Sequence, residues 1–543
     1  MSTQPPLIID MHTHFFNAKY VPLKEIAISR GIPKRLASPL ARILLILTRS
    51  SKLRIKTQEK LNVEPESIFL KNQGQHTLDY RDDISGLLIS DILSQLFIDV
   101  ASADNEFEAQ ALMYESSMLS ELRELNLEFG DDDSAAELSN LINNTGILRN
   151  SESFKGLYTH EGFILSPLKR MLRRLLKAAL KYVESAGDVL DFFYSMTTTE
   201  KQLLNRLSSY YKKKETPYLF IHYMMDMEHP FDGDVVHDFY PTQIQRMAGL
   251  EQYSKGTLVG FSAFDPIRFL GGRSEEEIRE EIHQHMNLAL DNGKLGFKFY
   301  PPLGFRAAGN DDERIEVVVD IFLDRCAEQQ IPVFTHCTPS GFEIVPKQSG
   351  SYSHPDFWRK ALEKNGRSNL RLCFGHAGGG IRNVQKEGKS KTVMGWLSND
   401  EQWKDEDNYA RIVVEICKEF KNVYCEIAYT HSILDSPELK AAFKARLITE
   451  FEQANDGNYD FSKKIMYGSD WHMPSMINEV DDYLDILLGY FDTGILATYR
   501  NLFFAGNAIV YLQISAFVER IEEQLGASYH NGLVSILNEY PAD

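Results

Sequence analysis

The chain has 543 residues, 43% of them apolar and 25% charged, the composition of a soluble globular protein. Its formal net charge of −19 excludes a general nucleic-acid-binding surface, which needs a clustered excess of Lys and Arg. The length allows several domains, or one large barrel carrying an insertion.

The first residues, Met1-Ser2-Thr3-Gln4-Pro5-Pro6, lack the basic stretch and apolar core of a secretory signal, so none is expected. The apolar run Leu44-Leu45-Ile46-Leu47 is too short to span a membrane and is flanked by Arg42 and Arg49. Cys326, Cys337, Cys373, Cys417 and Cys425 show no C-x-x-C spacing, and several lie in apolar segments. Reduced, buried thiols and a cytoplasmic location are the expectation.

The first predicted strand is Leu7-Ile8-Ile9-Asp10-Met11-His12-Thr13-His14. Strict alternation puts Asp10, His12 and His14 on one side and Met11 and Thr13 on the other. Two imidazoles at one strand end are half a metal site if later strands bring further ligands. Alone, they are equally an ordinary polar pair where a strand meets a loop.

Residues 17–215 read as an inserted, mainly helical domain placed after strand one as a lid or specificity element. Apolar stripes run through Asp83 to Val100, Glu106 to Leu127 and Pro167 to Val183, with turns expected at Asp131-Asp132-Asp133 and Asn143-Asn144. The last stripe is backed by Lys169, Arg170, Arg173, Arg174, Lys177 and Lys181. That pattern reads as a solvated basic face on a core-packing helix, in preference to a membrane-surface contact.

From residue 217 strands and helices alternate. Strands are predicted at Pro217 to Met225, Thr257 to Phe264, Leu295 to Tyr300, Ile331 to His336, Leu370 to His376, Asn422 to Ile427 and Lys464 to Asp470. Helical periodicity fills Ser274 to Asp291, Asp311 to Gln330 and Asn408 to Phe420. Nearly continuous apolar strands separated by helices indicate a parallel sheet covered on both faces. With the first strand they number eight, which predicts an α/β fold, a (β/α)8 TIM barrel built from residues 1–16 and 216–512. Residues 513–543 read as a further helical segment.

In such a barrel side chains converge where strands end. Those ends hold His12 and His14, Lys298-Phe299-Tyr300-Pro301, His336, His376-Ala377-Gly378-Gly379 and Asp470. One such His could be a core residue; the whole set points to a metal centre. Asp226, Glu228, His229, Asp232, Asp234, His237 and Asp238 follow strand two without ligand spacing, and a solvated loop is expected there in preference to a second metal site.

The stretches Ile9-Asp10-Met11-His12-Thr13-His14, Phe374-Gly375-His376-Ala377-Gly378-Gly379, Tyr467-Gly468-Ser469-Asp470 and Phe504-Ala505-Gly506-Asn507-Ala508 resemble the amidohydrolase superfamily. The chain is more closely similar to the amidohydrolase-related branch that includes aminocarboxymuconate semialdehyde decarboxylase. Gly260-Phe261-Ser262-Ala263-Phe264-Asp265-Pro266 looks like that branch's third strand. The resemblance spans the first strand and residues 217 to 512, not the insertion.

The resemblance implies a divalent metal on His12, His14, His336 and Asp470. Imidazoles and a carboxylate suit one Zn²⁺, with Mn²⁺ or Fe²⁺ as alternatives. It further implies that Asp470 moves protons and that His376 stabilises the transition state. Asp10 is expected to support the site structurally. In binuclear relatives such as dihydroorotase, a carboxylated lysine bridges two metals; Lys298 and His376 would then be second-metal ligands. A single metal is the expectation in the resembled branch. Tyr300, Arg306, Trp471 and His472 follow strand ends and are candidate substrate contacts, and Arg306 or Arg382 could clamp a substrate carboxylate.

The expected function is metal-dependent hydrolysis of a C–N or ester-type bond in a small molecule. Metal-assisted decarboxylation of a small carboxylic acid on the same ligands is the first alternative. A non-catalytic, metal-stabilised scaffold whose insertion binds a partner is the second. No nucleic-acid partner is expected, and a homo-oligomer stays open.

Overall fold

The computed structural model describes residues 5–29, 41, 195–196, 198–231, 239–271, 274–345, 348–386, 389–473 and 476–540. The chain divides into two compact units. One takes in the N-terminus through Phe16, then Thr199–Asp232 and Phe239–Asp543; the other is Asn17–Thr198 with Gly233–Asp238. In the second unit, a 3-10 turn over Ala18–Tyr20, capped by the Asn17 side chain, precedes helix α1 (Leu23–Ser29). The stripes expected at 83–100, 106–127 and 167–183, with the basic face of the last, lie outside the described residues.

The first unit is a barrel. Strands β1 (Ile8–Thr13), β2 (Tyr218–Tyr223), β3 (Leu258–Phe264), β4 (Gly296–Phe299), β5 (Val333–His336), β6 (Leu372–Gly375), β9 (Val423–Ile427) and β10 (Ile465–Tyr467) form one eight-stranded sheet in that order. Every neighbouring pair is parallel. These are the eight predicted segments. All but Tyr218 among their residues are buried, as parallel strands covered on both faces must be.

Helices return the chain between strands, and local sequence starts them. Helix α2 (Glu200–Lys212) opens on a capping box of Thr199 with Gln202. Helix α4 (Glu275–Asp291) opens on one of Ser274 with Glu277, which satisfies amide groups the first turn leaves unpaired. Helix α3 (Tyr240–Ser254) lies between them in the chain. Helix α2 belongs to the barrel unit, although its residues fall within the 17–215 segment that sequence assigned to the insertion. An antiparallel hairpin, β7 (Arg382–Lys386) with β8 (Lys389–Val393), interrupts the path from β6 to β9. Its polar sequence has no apolar alternation to announce it.

The N-terminal end of the barrel is closed by the last helices of the chain. Met11, Ile221, Val259, Phe334, Cys373, Tyr424 and Met466 share one core cluster with Phe517, Tyr529 and Leu533. The last three lie on helices at Ile514–Leu525 and Ala527–Leu537. Tyr511 donates its hydroxyl to the Val333 carbonyl and Tyr529 to the Leu258 carbonyl, both at strand starts. Gly256, at φ +92°, allows this contact: a Cβ there would lie 2.2 Å from the Leu533 nitrogen. All five cysteines are buried and free. Among the described residues no single helix is long and apolar enough to cross a membrane.

The seam between β1 and β10 is stitched largely by side chains. From Asp10 to Thr13, β1 advances three positions while its partner advances two, Phe220 to His222, so β1 carries a one-residue bulge. The bulge breaks the strict alternation expected from sequence. Met11 joins the barrel core and His12 the mouth, while Asp10 turns toward Tyr211 and Ser469. Asp10 Oδ2 accepts from the Tyr211 hydroxyl at 2.6 Å and the Ser469 hydroxyl at 2.6 Å; Oδ1 accepts from the Ser469 amide at 2.9 Å. Burial raises its pKa to about 6 despite these donors. Asp10 therefore supports the site structurally. Tyr211→Phe removes a donor from a buried carboxylate and should cost about 1–3 kcal/mol in urea unfolding of the metal-free protein.

Candidate metal centre

At the C-terminal mouth, three acceptor atoms converge. Asp470 Oδ1 lies 3.3 Å from His12 Nε2 and 3.3 Å from His14 Nε2, and all three side chains are buried. The far side of each ring decides its tautomer. His14 Nδ1 meets the Tyr223 carbonyl at 2.9 Å, so Nδ1 carries the hydrogen and Nε2 presents a lone pair. His12 Nδ1 meets Glu426 Oε1 at 2.8 Å, with the same consequence. Two lone pairs and a carboxylate oxygen thus face one another at one point, where electrostatics demands a cation. Two imidazole nitrogens and a carboxylate are a ligand set for a borderline divalent ion such as Zn²⁺, so the residues present fit the metal.

His336 stands beside this group. Its Nε2 bonds the Ser340 carbonyl at 2.6 Å, which leaves Nδ1 toward the centre, 3.1 Å from His376 Nε2. The His376 nitrogen must donate there, since His336 Nδ1 has no hydrogen. Burial pushes His12, His14 and His376 well below the ordinary histidine range, and His336 to about 3. Neutral rings are what metal ligation needs, and a neutral His336 is what lets its Nδ1 accept from His376.

Lys298 Nζ lies 3.4 Å from both His12 Nε2 and His14 Nε2. Three rings surround it, Tyr223 at 5.3 Å, Tyr300 at 5.5 Å and Phe334 at 5.5 Å to their centroids. Burial lowers its pKa, and the charges of Asp470 and Glu426 hold it up. Burial raises Asp470, against the pull of Lys298 and Arg382. His376, Tyr429 and Asp470, each just past a strand end, all take left-handed backbone at φ +60°, +56° and +62°. Non-glycine residues adopt it at a cost of about 1–3 kcal/mol each, and such residues cluster at functional sites.

The structure brings His12, His14, Asp470, Lys298, His336 and His376 together. Tyr300 is adjacent: its ring lies 4.7 Å from His336 and its hydroxyl accepts from the Phe342 amide. Trp471 is buried against Phe15, and its carbonyl accepts from the His14 amide, so it braces β1. His472 is buried with Nε2 on the Phe16 carbonyl at 2.9 Å. Arg306 reaches Gly309 and Asp311 and lies over the Tyr352 ring. It also lies over the Phe357 ring, and among the described residues it makes no hydrogen bond to the histidine cluster. Arg382 bonds the Ile381 carbonyl, stacks 5.7 Å over Tyr429, and its charge is felt at His336, His376 and Asp470.

After strand two, Asp226 is buried and paired with Arg268 at 2.8 Å, and Glu228 meets the same guanidinium at 3.0 Å. The expectation of a solvated loop is corrected for these two residues. Arg268, distant in sequence, neutralises them. Sequence reasoning also missed Glu426. Its signal was one acidic residue inside the apolar run Val423-Tyr424-Cys425-Glu426-Ile427-Ala428, at a position that shares a face with Tyr424.

The amidohydrolase family model matches residues 220–510, more than half of the chain. The chain belongs to the amidohydrolase family. No curated protein matches it. Apart from Gly233–Asp238 the match falls within the barrel unit, and it contains His336, His376 and Asp470, while His12 and His14 precede it. Membership makes this amidohydrolase a metal-dependent enzyme of hydrolase or decarboxylase type in general, acting on a small molecule.

Proposed function

We propose that this amidohydrolase hydrolyses a C–N or ester-type bond of a small molecule with one Zn²⁺, within the branch that its motifs resemble. The observation that carries the reading is the convergence of His12 Nε2, His14 Nε2 and Asp470 Oδ1, with both ring tautomers set to present lone pairs. His336 Nδ1, which accepts from His376 Nε2 in this structure, would be the fourth atom to hold the ion once that hydrogen bond opens, which would free His376 Nε2–H. When bound, a divalent cation there would lower the pKa of its water toward about 7 and polarise a carbonyl.

The chain's own groups supply the rest. Asp470 takes the proton of the attacking water and returns it to the leaving group. His376 Nε2–H donates to the oxygen that gains negative charge. Lys298 stays an amine rather than a carboxylated bridge, because three aromatic faces around Nζ favour a cation and oppose an anion. That cage favours the single-metal reading. The Lys298 ammonium also supports decarboxylation as a second reading, since it could hold the carboxylate that leaves.

The test is a panel of small lactones, esters, amides and carboxylic acids offered to the Zn²⁺-loaded protein, with hydrolysis products followed by mass and CO₂ release followed separately. Hydrolysis products without CO₂ are expected. CO₂ release from an acid would replace hydrolysis by the second reading, and no turnover on any class would favour the scaffold.

A further inference from the structure

We infer that Glu426 is a positioning residue of this centre: one carboxylate oxygen fixes His12 as a ligand and ties it to the backbone of His376. The inference rests on the proposed metal centre. Glu426 Oε1 takes His12 Nδ1 at 2.8 Å and the His376 amide at 2.7 Å. A carboxylate oxygen that already accepts the amide hydrogen bond also accepts from the ring, so His12 is held with its Nε2 lone pair toward Asp470. The same oxygen holds His376 in its left-handed conformation, which links strand one to strand six through a single atom.

The three ring clamps differ in kind. His14 and His336 are held by neutral carbonyls, those of Tyr223 and Ser340, while His12 is held by a carboxylate. A carboxylate partner makes an imidazole a more basic ligand as well as orienting it. Glu426 serves the fold poorly. It is wholly buried, and its Oε2 finds no hydrogen bond among the described residues. A buried acceptor left unmet weakens a fold, and apolar groups of similar shape would pack there at no such cost. The carboxylate is nonetheless held tightly in place. A Cβ on Gly468 would stand 2.4 Å from Oε2 and 3.1 Å from the His12 Cβ, so only glycine at 468 leaves room for it.

Two variants separate positioning from architecture. Glu426→Gln keeps the acceptor oxygen and removes the charge; Gly468→Ala keeps the charge and displaces the carboxylate. Metal-free proteins are titrated with Zn²⁺ against a chromophoric chelator, and their thermal unfolding without metal is the folding control. The expected result is Zn²⁺ affinity lower by about 10–100-fold in Glu426→Gln, with metal-free melting unchanged or raised. Gly468→Ala should weaken Zn²⁺ in the same direction, and it decides the matter if the glutamine variant does not fold. Wild-type affinity in every variant that folds overturns the inference. So does failure of both variants to fold, which would assign Glu426 to the architecture. A wild-type protein that binds no Zn²⁺ would instead remove the proposed centre itself.

Discussion

Asp470→Asn is expected to lower turnover by about 10²–10⁴-fold on the best substrate of the panel, the range for loss of a positioned acid–base group. The substitution is nearly isosteric. It removes the negative charge that faces His12 and His14 and the site that carries the water's proton to the leaving group. Because Asp470 also belongs to the donor set, Zn²⁺ affinity should fall in the same variant. Turnover is therefore compared at saturating Zn²⁺, so that lost metal is not mistaken for lost proton transfer. His376→Asn would provide a contrast, since it removes an oxyanion donor that is not itself a proposed ligand, although it also removes the bond to His336. If Asp470→Asn kept full turnover at saturating metal, its proton-transfer role would be lost. If metal binding, folding and cellular function also persisted unchanged, the scaffold reading would gain.

The second large effect is acid instability of the metal-free protein. Six buried histidines, His12, His14, His222, His336, His376 and His472, and the half-buried His285 are held below the ordinary histidine value of 6.5, His285 to about 4 and His472 to about 3. Each is neutral in the fold and gains a proton on unfolding below pH 6.5, so its stabilising contribution is present above 6.5 and lost as pH falls. Some buried carboxyls act oppositely. Without a metal beside them, Asp10, Asp265, Glu426 and Asp470 are raised by burial and release protons on unfolding. The buried Glu450 is raised in the same way, but the histidines still outnumber these carboxyls, so unfolding takes up protons as pH falls below 6.5 and stability falls with it. Urea midpoints at pH 7, 6 and 5 should fall steeply with acid. A flat or rising series would mean that those rings are protonated in the fold.

The barrel was legible because each predicted strand is a largely apolar segment of six to nine residues set off by amphipathic helices, a contrast that survives without any tertiary information. The centre was legible for a related reason. A barrel gathers its strand ends, so His12, His14, His336, His376 and Asp470 could be grouped by position alone. What sequence did not reveal depends on partners. The bulge in β1 exists only relative to β2, so strict alternation wrongly put Asp10 on the face of His12. Glu426 reads as one stray charge in an apolar strand until His12 and the His376 amide are seen to share its oxygen. The Asp226 and Glu228 carboxylates looked solvated because Arg268, forty residues on, is what buries and neutralises them. The first strand of the β7–β8 hairpin holds one apolar residue, Val384, so periodicity had nothing to register.

The most direct test of a single-metal centre is metal content per chain combined with intact mass on the protein as purified. One divalent ion per chain and the mass of the unmodified polypeptide are the predicted result, with Lys298 a free amine within its aromatic cage. Two ions per chain with a mass gain of about 44 Da would contradict it and make Lys298 a carboxylated bridge.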